Sequence, residues 1–150
     1  MKRLIDLYIY RVRDPSFEYL MLKRADKKIY SGQWRMVGGK VRSDESYWQA
    51  ALREMKEETG LQPQLFWSVP TLNHFYEPSS DQIHLIPAFA AEVHAEAVPV
   101  LDDEHSRYEW HEATEASNRV FWPEQKRLIL TIDQILSTDQ WLDSWNIPLG

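Results

Sequence analysis

The sequence predicts an α/β fold, a mixed β-sheet flanked by helices, on three observations. Two pairs of strand-like runs, at residues 4–22 and 64–93, are each broken by a short Pro-containing turn. A helix with signals at both ends lies between the pairs. A second helical pattern follows Pro123. The 150 residues are expected to form a single domain, long enough to bury a real core.

Taken in order, residues 4–12 and 17–22 are rich in Ile, Tyr, Leu and Val, with Asp14-Pro15-Ser16 between them, and predict two strands joined by a turn. Residues 25–33 predict a loop. Trp34-Arg35-Met36-Val37 predicts only a strand fragment, ended by Gly38-Gly39. Ser46 followed three residues later by Gln49 forms a capping box at the head of a helix over 46–59. Gly60 then suits a left-handed C-cap, with Leu61 making the hydrophobic contact beyond it. Residues 64–76 and 82–93 predict strands around the turn Glu77-Pro78-Ser79-Ser80, and residues 108–111 one more. Pro123 opens a second helix, on which Leu128, Ile129, Ile132, Ile135 and Leu136 share one apolar face. Trp141, Leu142 and Trp145 are expected to dock the tail on the domain.

Composition excludes several classes. The formal charge of −6 opposes non-specific binding to nucleic acid or to an anionic membrane surface. A small phosphorylated ligand is compatible with it, because a bound cation inverts the local field. The chain has no cysteine, which removes disulfides, thiolate nucleophiles and sulfur-bound zinc. Met-Lys-Arg resembles the start of a signal peptide, but Asp6, Arg11 and Arg13 interrupt the apolar stretch that would have to follow. No run approaches the roughly 18 apolar residues of a membrane span. The expected location is cytoplasmic.

The chemistry concentrates on the first helix. On a 3.6-residue turn, Trp48, Ala51, Leu52 and Met55 share one stripe, expected to pack on the sheet. Glu54, Glu57 and Glu58 share a neighbouring arc, since positions i, i+3 and i+4 adjoin on a helix surface. Ala50 lies on that arc and is expected to leave room for a ligand. Clustered carboxylates repel one another. Arg53 and Lys56 offset part of the repulsion, and a divalent cation would offset more. Oxygen ligands without sulfur select hard ions, so Mg²⁺ is expected, with Mn²⁺ as the substitute. A Glu45–Arg53 ion pair is expected to pin the preceding loop to the helix. Gly38 and Gly39 let backbone approach a ligand closely. A solvated acidic face is the ordinary reading of such an arc; its place beside the apolar stripe, the paired glycines and the two caps argue against it.

Gly39, Glu45 and Arg53-Glu54-Met55-Lys56-Glu57-Glu58-Thr59-Gly60-Leu61 fill every fixed position of the pattern Gly-x5-Glu-x7-Arg-Glu-U-x-Glu-Glu-x-Gly-U, where U is aliphatic. The segment thereby resembles the Nudix box. The lead-in from Trp34 to Gly39 is also similar, with Val37 where many members have proline. The resemblance implies an α/β/α sandwich and metal-dependent hydrolysis of a nucleoside diphosphate linked to another group. Residue by residue it implies Glu57 and Glu58 as metal ligands, Glu54 as ligand or base, and a carbonyl of Gly38 or Gly39 on the metal. An acidic residue outside the box often serves as base. Asp102, Asp103 and Glu104 are the candidates, and Glu104 is favoured because Glu-His-x-x-Tyr-x-Trp at 104–110 resembles bacterial dihydroneopterin triphosphate pyrophosphatases. His105 is the alternative base, although a lone loop histidine is more often solvated.

That branch implies attack of water on the α-phosphorus of a nucleoside or pterin triphosphate, giving a monophosphate and pyrophosphate. Lys23, Arg24 and Arg35 are candidates to neutralise the triphosphate. Trp34, Phe75, Tyr76 and His84 are candidates to stack on the base or pterin ring, although strand aromatics are more often core. Tyr76 and Pro78 both fall where some subfamilies carry a distinguishing tyrosine or proline, so dinucleoside polyphosphates, ADP-ribose and nucleotide sugars stay open. The Ser-Gln-Pro-Trp-Pro-Phe-Pro signature of NADH-cleaving members is not found. A non-catalytic nucleotide sensor is a further alternative, but such domains usually lose box carboxylates that are kept here. Related folds often form homodimers, and the partner is expected to be a small nucleotide-like molecule.

Overall fold

The computed structural model describes residues 2–26 and 31–150; part of the loop expected at 25–33 lies outside them. Its organising element is β1 (Leu4–Arg13), buried on both faces from Ile5 to Tyr10 as a central strand must be. β1 turns at Asp14-Pro15 into β2 (Ser16–Arg24), and the two pair antiparallel from Tyr10↔Tyr19 to Arg13↔Ser16. Toward the other end of β1 the two part company. The gap is filled by β3 (Trp34–Arg35), which pairs with β2, and by β4 (Val37–Lys40), which pairs with β1. Gly38 and Gly39 therefore do not end a strand fragment as expected. They lie inside β4, opposite Asp6 and Ile5.

On its other edge β1 runs parallel to β6 (Gln82–Glu92), and β6 pairs antiparallel with β5 (Leu65–Glu77). β7 (His105–Glu112) joins the far side of β2 and is longer than expected, beginning at His105. The result is a mixed seven-stranded sheet with the order β3-β2-β1-β6-β5, to which β4 and β7 add through β1 and β2.

Helices cover both faces. α1 (Tyr47–Thr59) carries both expected caps: Ser46 and Gln49 exchange the capping-box hydrogen bonds, and Gly60 takes φ 68°. It packs on Ile5, Leu7, Leu20, Leu22, Phe66 and Phe89 through Ala50, Ala51 and Met55. Two side chains depart from the expected wheel. Trp48 is exposed, and Ala50 is fully buried in this core, so it lends no space to a ligand. α2 (Ala113–Arg119), which the sequence did not predict, and α3 (Pro123–Ser137) close the other face over Tyr8, Tyr10, Tyr19, Met21 and Trp67. The expected apolar face of α3 is present, with Leu128, Ile129, Ile132 and Ile135 buried and Leu136 partly so.

The tail docks as expected through its tryptophans, while Leu142 stays exposed. Trp145 stacks on Trp67 at 6.1 Å between centroids, and Trp141 meets the same ring edge-on at 6.3 Å. The Ile147 amide donates to the Phe66 carbonyl at 2.9 Å, and Asn146 bridges to Trp67. Trp67 itself is fully buried and donates from Nε1 to the Tyr10 hydroxyl at 3.1 Å. Trp67→Ala should therefore cost about 3–5 kcal/mol of unfolding free energy in urea titration, the usual range for emptying an aromatic core site.

Candidate functional site

Arg53, largely covered on α1, is where the loop and the carboxylates meet. Its Nε and Nη2 grip both oxygens of Glu45 at 2.7 and 3.0 Å, and Nη2 also donates to the Lys40 carbonyl at 2.9 Å. Nη1 donates to Glu54 at 2.6 Å and to Glu57 at 3.2 Å. The expected Glu45–Arg53 pair is thus a two-point contact that fastens the segment after β4 to the helix. Arg53 and the backbone amide of Arg42 hold the Glu45 carboxyl down at about 2, well below its ordinary value.

The three helix carboxylates occupy different environments. Glu57 is half exposed and lies between Arg53 and Arg42. Glu54 is mostly covered and presses against Gly39, where a β-carbon would fall 2.5 Å from the Glu54 carboxyl carbon. Glu58 is buried beside the Glu54 carboxyl, and its Oε2 meets no hydrogen-bond donor. Burial first, then Glu54 and Asp102, pushes its carboxyl well above the ordinary range. Among the described residues no three acidic or imidazole side chains converge on one point as they stand, because Arg53 draws Glu54 and Glu57 to itself.

β7 and β3 bring the remaining polar groups to Glu58. His105 is buried, not solvated as expected of a lone loop histidine: Nδ1 lies 2.9 Å from Asp102 Oδ1, and Nε2 lies 3.7 Å from Glu58 Oε1. Burial lowers the tendency of this ring to take up a second proton, with Asp102 opposing and Arg35 and Arg24 reinforcing the effect. Arg35 sits in the combined field of Arg24, Glu58, Asp6 and Glu104, and its burial and the nearby Arg24 weaken its hold on its proton. Glu104 is half exposed and meets Arg24 at 3.4 Å. Asp103 is exposed in the same loop.

These contacts link Gly39, Glu45, Arg53, Glu54 and Glu57 in one group and Glu58, Arg35, Arg24, Glu104, Asp102 and His105 in a second, and Glu54 neighbours Glu58 between them. Lys23 and Trp34 face each other across β2 and β3, with Trp34 packed against the α3-side core. Tyr76 lies at the outer end of β5 and donates to Asp81 in its own hairpin turn at 2.8 Å, while Phe75 stacks on His84. One group escaped the sequence reading, which treated Asp6 only as an interruption of an apolar run. Buried on the α3 side, Asp6 accepts from Asn73 Nδ2 at 2.7 Å and from the Tyr8 hydroxyl at 3.1 Å. A lone acid within a central-strand pattern was the available signal.

The NUDIX domain model matches residues 2–132, nearly the whole of this framework. The chain belongs to the NUDIX family. Over 125 residues it is 28% identical to an octanoyltransferase of Myxococcus xanthus, covering 79% of this chain and 33% of that protein. Over 93 residues it is 36% identical to the CTP pyrophosphohydrolase of Escherichia coli K12, covering 62% and 59%. The chain thus spans between about a third and three-fifths of the length of these curated relatives. The E. coli dihydroneopterin triphosphate pyrophosphohydrolase superposes with a TM-score of 0.73 at 25% identity, covering 87% of this chain and 94% of that one. The NUDIX box thus occupies β4, the loop after it, and α1.

Two outcomes are expected from this geometry. Glu45 has a folded-state value below its unfolded one, so its contribution is complete above about pH 4.5 and fades as pH falls toward 2. Urea unfolding across pH should show a constant gap between wild type and Glu45→Gln from pH 7 to 5, narrowing below. Gly39→Ala should leave the fold intact, because the obstructed atom ends a flexible side chain, but it displaces Glu54. A loss of activity of roughly ten- to a hundredfold is expected, as for a misplaced reacting group.

Proposed function

We propose that this NUDIX protein is a pyrophosphohydrolase that cleaves a nucleoside or pterin triphosphate to a monophosphate and pyrophosphate with Mg²⁺. The observation that supports the reading is the buried Glu58 oxygen that meets no donor, beside Glu54, whose own carboxyl lies against the close backbone of Gly39. A buried acceptor of that kind is costly unless a cation or donor joins it, and an all-oxygen donor set suits a hard ion. NUDIX hydrolases generally use divalent metals, in keeping with this. Glu54, Glu57, Glu58 and the Gly39 carbonyl would hold Mg²⁺, or Mn²⁺ in its place. Bound there, the ion supplies charge neutralisation on the phosphoryl oxygens and a lowered pKa for water.

The chain's own residues do the rest. Arg53 and Glu45 fasten the loop to α1, and Glu54 and Glu57 would turn from Arg53 to meet the ion. Arg24, Arg35 and Lys23 offset the charge of the triphosphate, and Trp34 and Tyr76 are the aromatic candidates for the ring. Glu104 takes the proton of the attacking water, with Glu54 as the other candidate base. Oxygen adds to the α-phosphorus, the bond to the bridging oxygen breaks, and pyrophosphate leaves. Such a displacement needs positioning and electrostatics more than a nucleophilic side chain. The names of two similar proteins, a CTP pyrophosphohydrolase and a dihydroneopterin triphosphate pyrophosphohydrolase, support a triphosphate substrate.

Glu57→Gln and Glu58→Gln should each lower kcat by about a hundredfold or more with an unchanged circular dichroism spectrum. Near wild-type turnover in either would overturn the ligand assignment. Assayed against nucleoside triphosphates, dihydroneopterin triphosphate, dinucleoside polyphosphates, ADP-ribose and nucleotide sugars, the enzyme should prefer a triphosphate and release pyrophosphate. Release of orthophosphate would rule out attack at the α-phosphorus.

A further inference from the structure

Three acidic residues follow one another at 102–104, and the structure commits them differently. Glu104 faces Arg24, and Asp103 is exposed. Asp102 turns inward and takes the Nδ1 side of His105 at 2.9 Å. An ionised carboxylate can only accept, so this contact places the ring hydrogen on Nδ1 and fixes the ring plane. The ring is almost wholly buried, with 2% of its side chain exposed, and its other edge lies 3.7 Å from Glu58.

That second distance is too long for a hydrogen bond. His105 therefore packs beside Glu58 Oε1 without hydrogen-bonding it, and the other oxygen, Oε2, meets no donor. A direct bond would have tied the carboxylate to the protein.

We propose that Asp102 and His105 are positioning residues: Asp102 locks the imidazole, and the locked ring limits the positions from which Glu58 can reach a metal ion. This deepens the metal-dependent reading and rests on Glu58 being a ligand. Groups that orient a ligand in this way typically matter by 10- to 100-fold in metal affinity.

The test uses the full chain, without substrate, titrated with Mn²⁺ by calorimetry or electron paramagnetic resonance. Asp102 is partly exposed in a loop, so its substitution avoids emptying the core. Asp102→Ala should weaken Mn²⁺ binding at least tenfold while the melting temperature stays within a few degrees. Asp102→Asn, whose amide oxygen still accepts the Nδ1 hydrogen, should recover most of that affinity. Wild-type affinity in Asp102→Ala would overturn the proposal. So would an Asp102→Asn variant as weak as the alanine, since charge and not ring orientation would then be at work. Glu58→Gln, titrated alongside, separates the two readings. Unchanged affinity in Glu58→Gln removes the ligand assignment itself, whereas weakened binding there with normal binding in Asp102→Ala removes only the positioning role.

Discussion

A single guanidinium carries the geometry of the site. Arg53 directs its hydrogen-bond donors to Glu45, to the Lys40 carbonyl and to Glu54 and Glu57. The planar fork makes this possible, because it presents donors in fixed directions that a lysine ammonium cannot reproduce. Two things follow. The segment between β4 and α1 becomes part of the helix's rigid body, and two carboxylates that would otherwise repel each other share one cation. Held this way, both face Arg53, and they do not converge with Glu58 on one point.

The framework that presents this helix depends on an irregularity in the sheet. β1 and β2 pair near their turn and then separate, and the β3–β4 segment enters the opening. That entry brings Gly39 against Glu54 and Arg35 into the neighbourhood of Glu58. On the outer side of β2, β7 delivers His105 to the same carboxylate from the opposite direction. Glu58 is consequently reached from both flanks of one strand, although its neighbours are far apart in sequence.

Local signals explain what the sequence disclosed. The caps of α1, its acidic arc and the Glu45–Arg53 spacing all depend on residues within a few turns of one another, and all appear in the structure. β4 was obscured because two of its four residues are glycines, which carry no alternation pattern, and its pairing is with a strand some thirty residues earlier. α2 is seven residues of Ala, Thr, Ser, Asn, Glu and Arg, with a weak intrinsic preference for helix, and it owes its existence to docking beside α3. His105 reads as a loop residue until β7 is paired with β2, and only that pairing buries it. Ala50 and Trp48 changed places relative to expectation because the buried face of α1 is turned from the expected stripe toward Ala50 and Glu58.

The docked tail has a role apart from the site. β5 ends the sheet and would offer a row of open amides and carbonyls along its outer edge. Over Phe66 and Trp67, residues 145–147 lie along that edge, sealed by indole stacking and a main-chain bond. Exposed edges recruit other chains by strand addition. The tryptophans of the tail thus cap the first part of this edge strand, at Phe66 and Trp67, and withhold its backbone from another strand there.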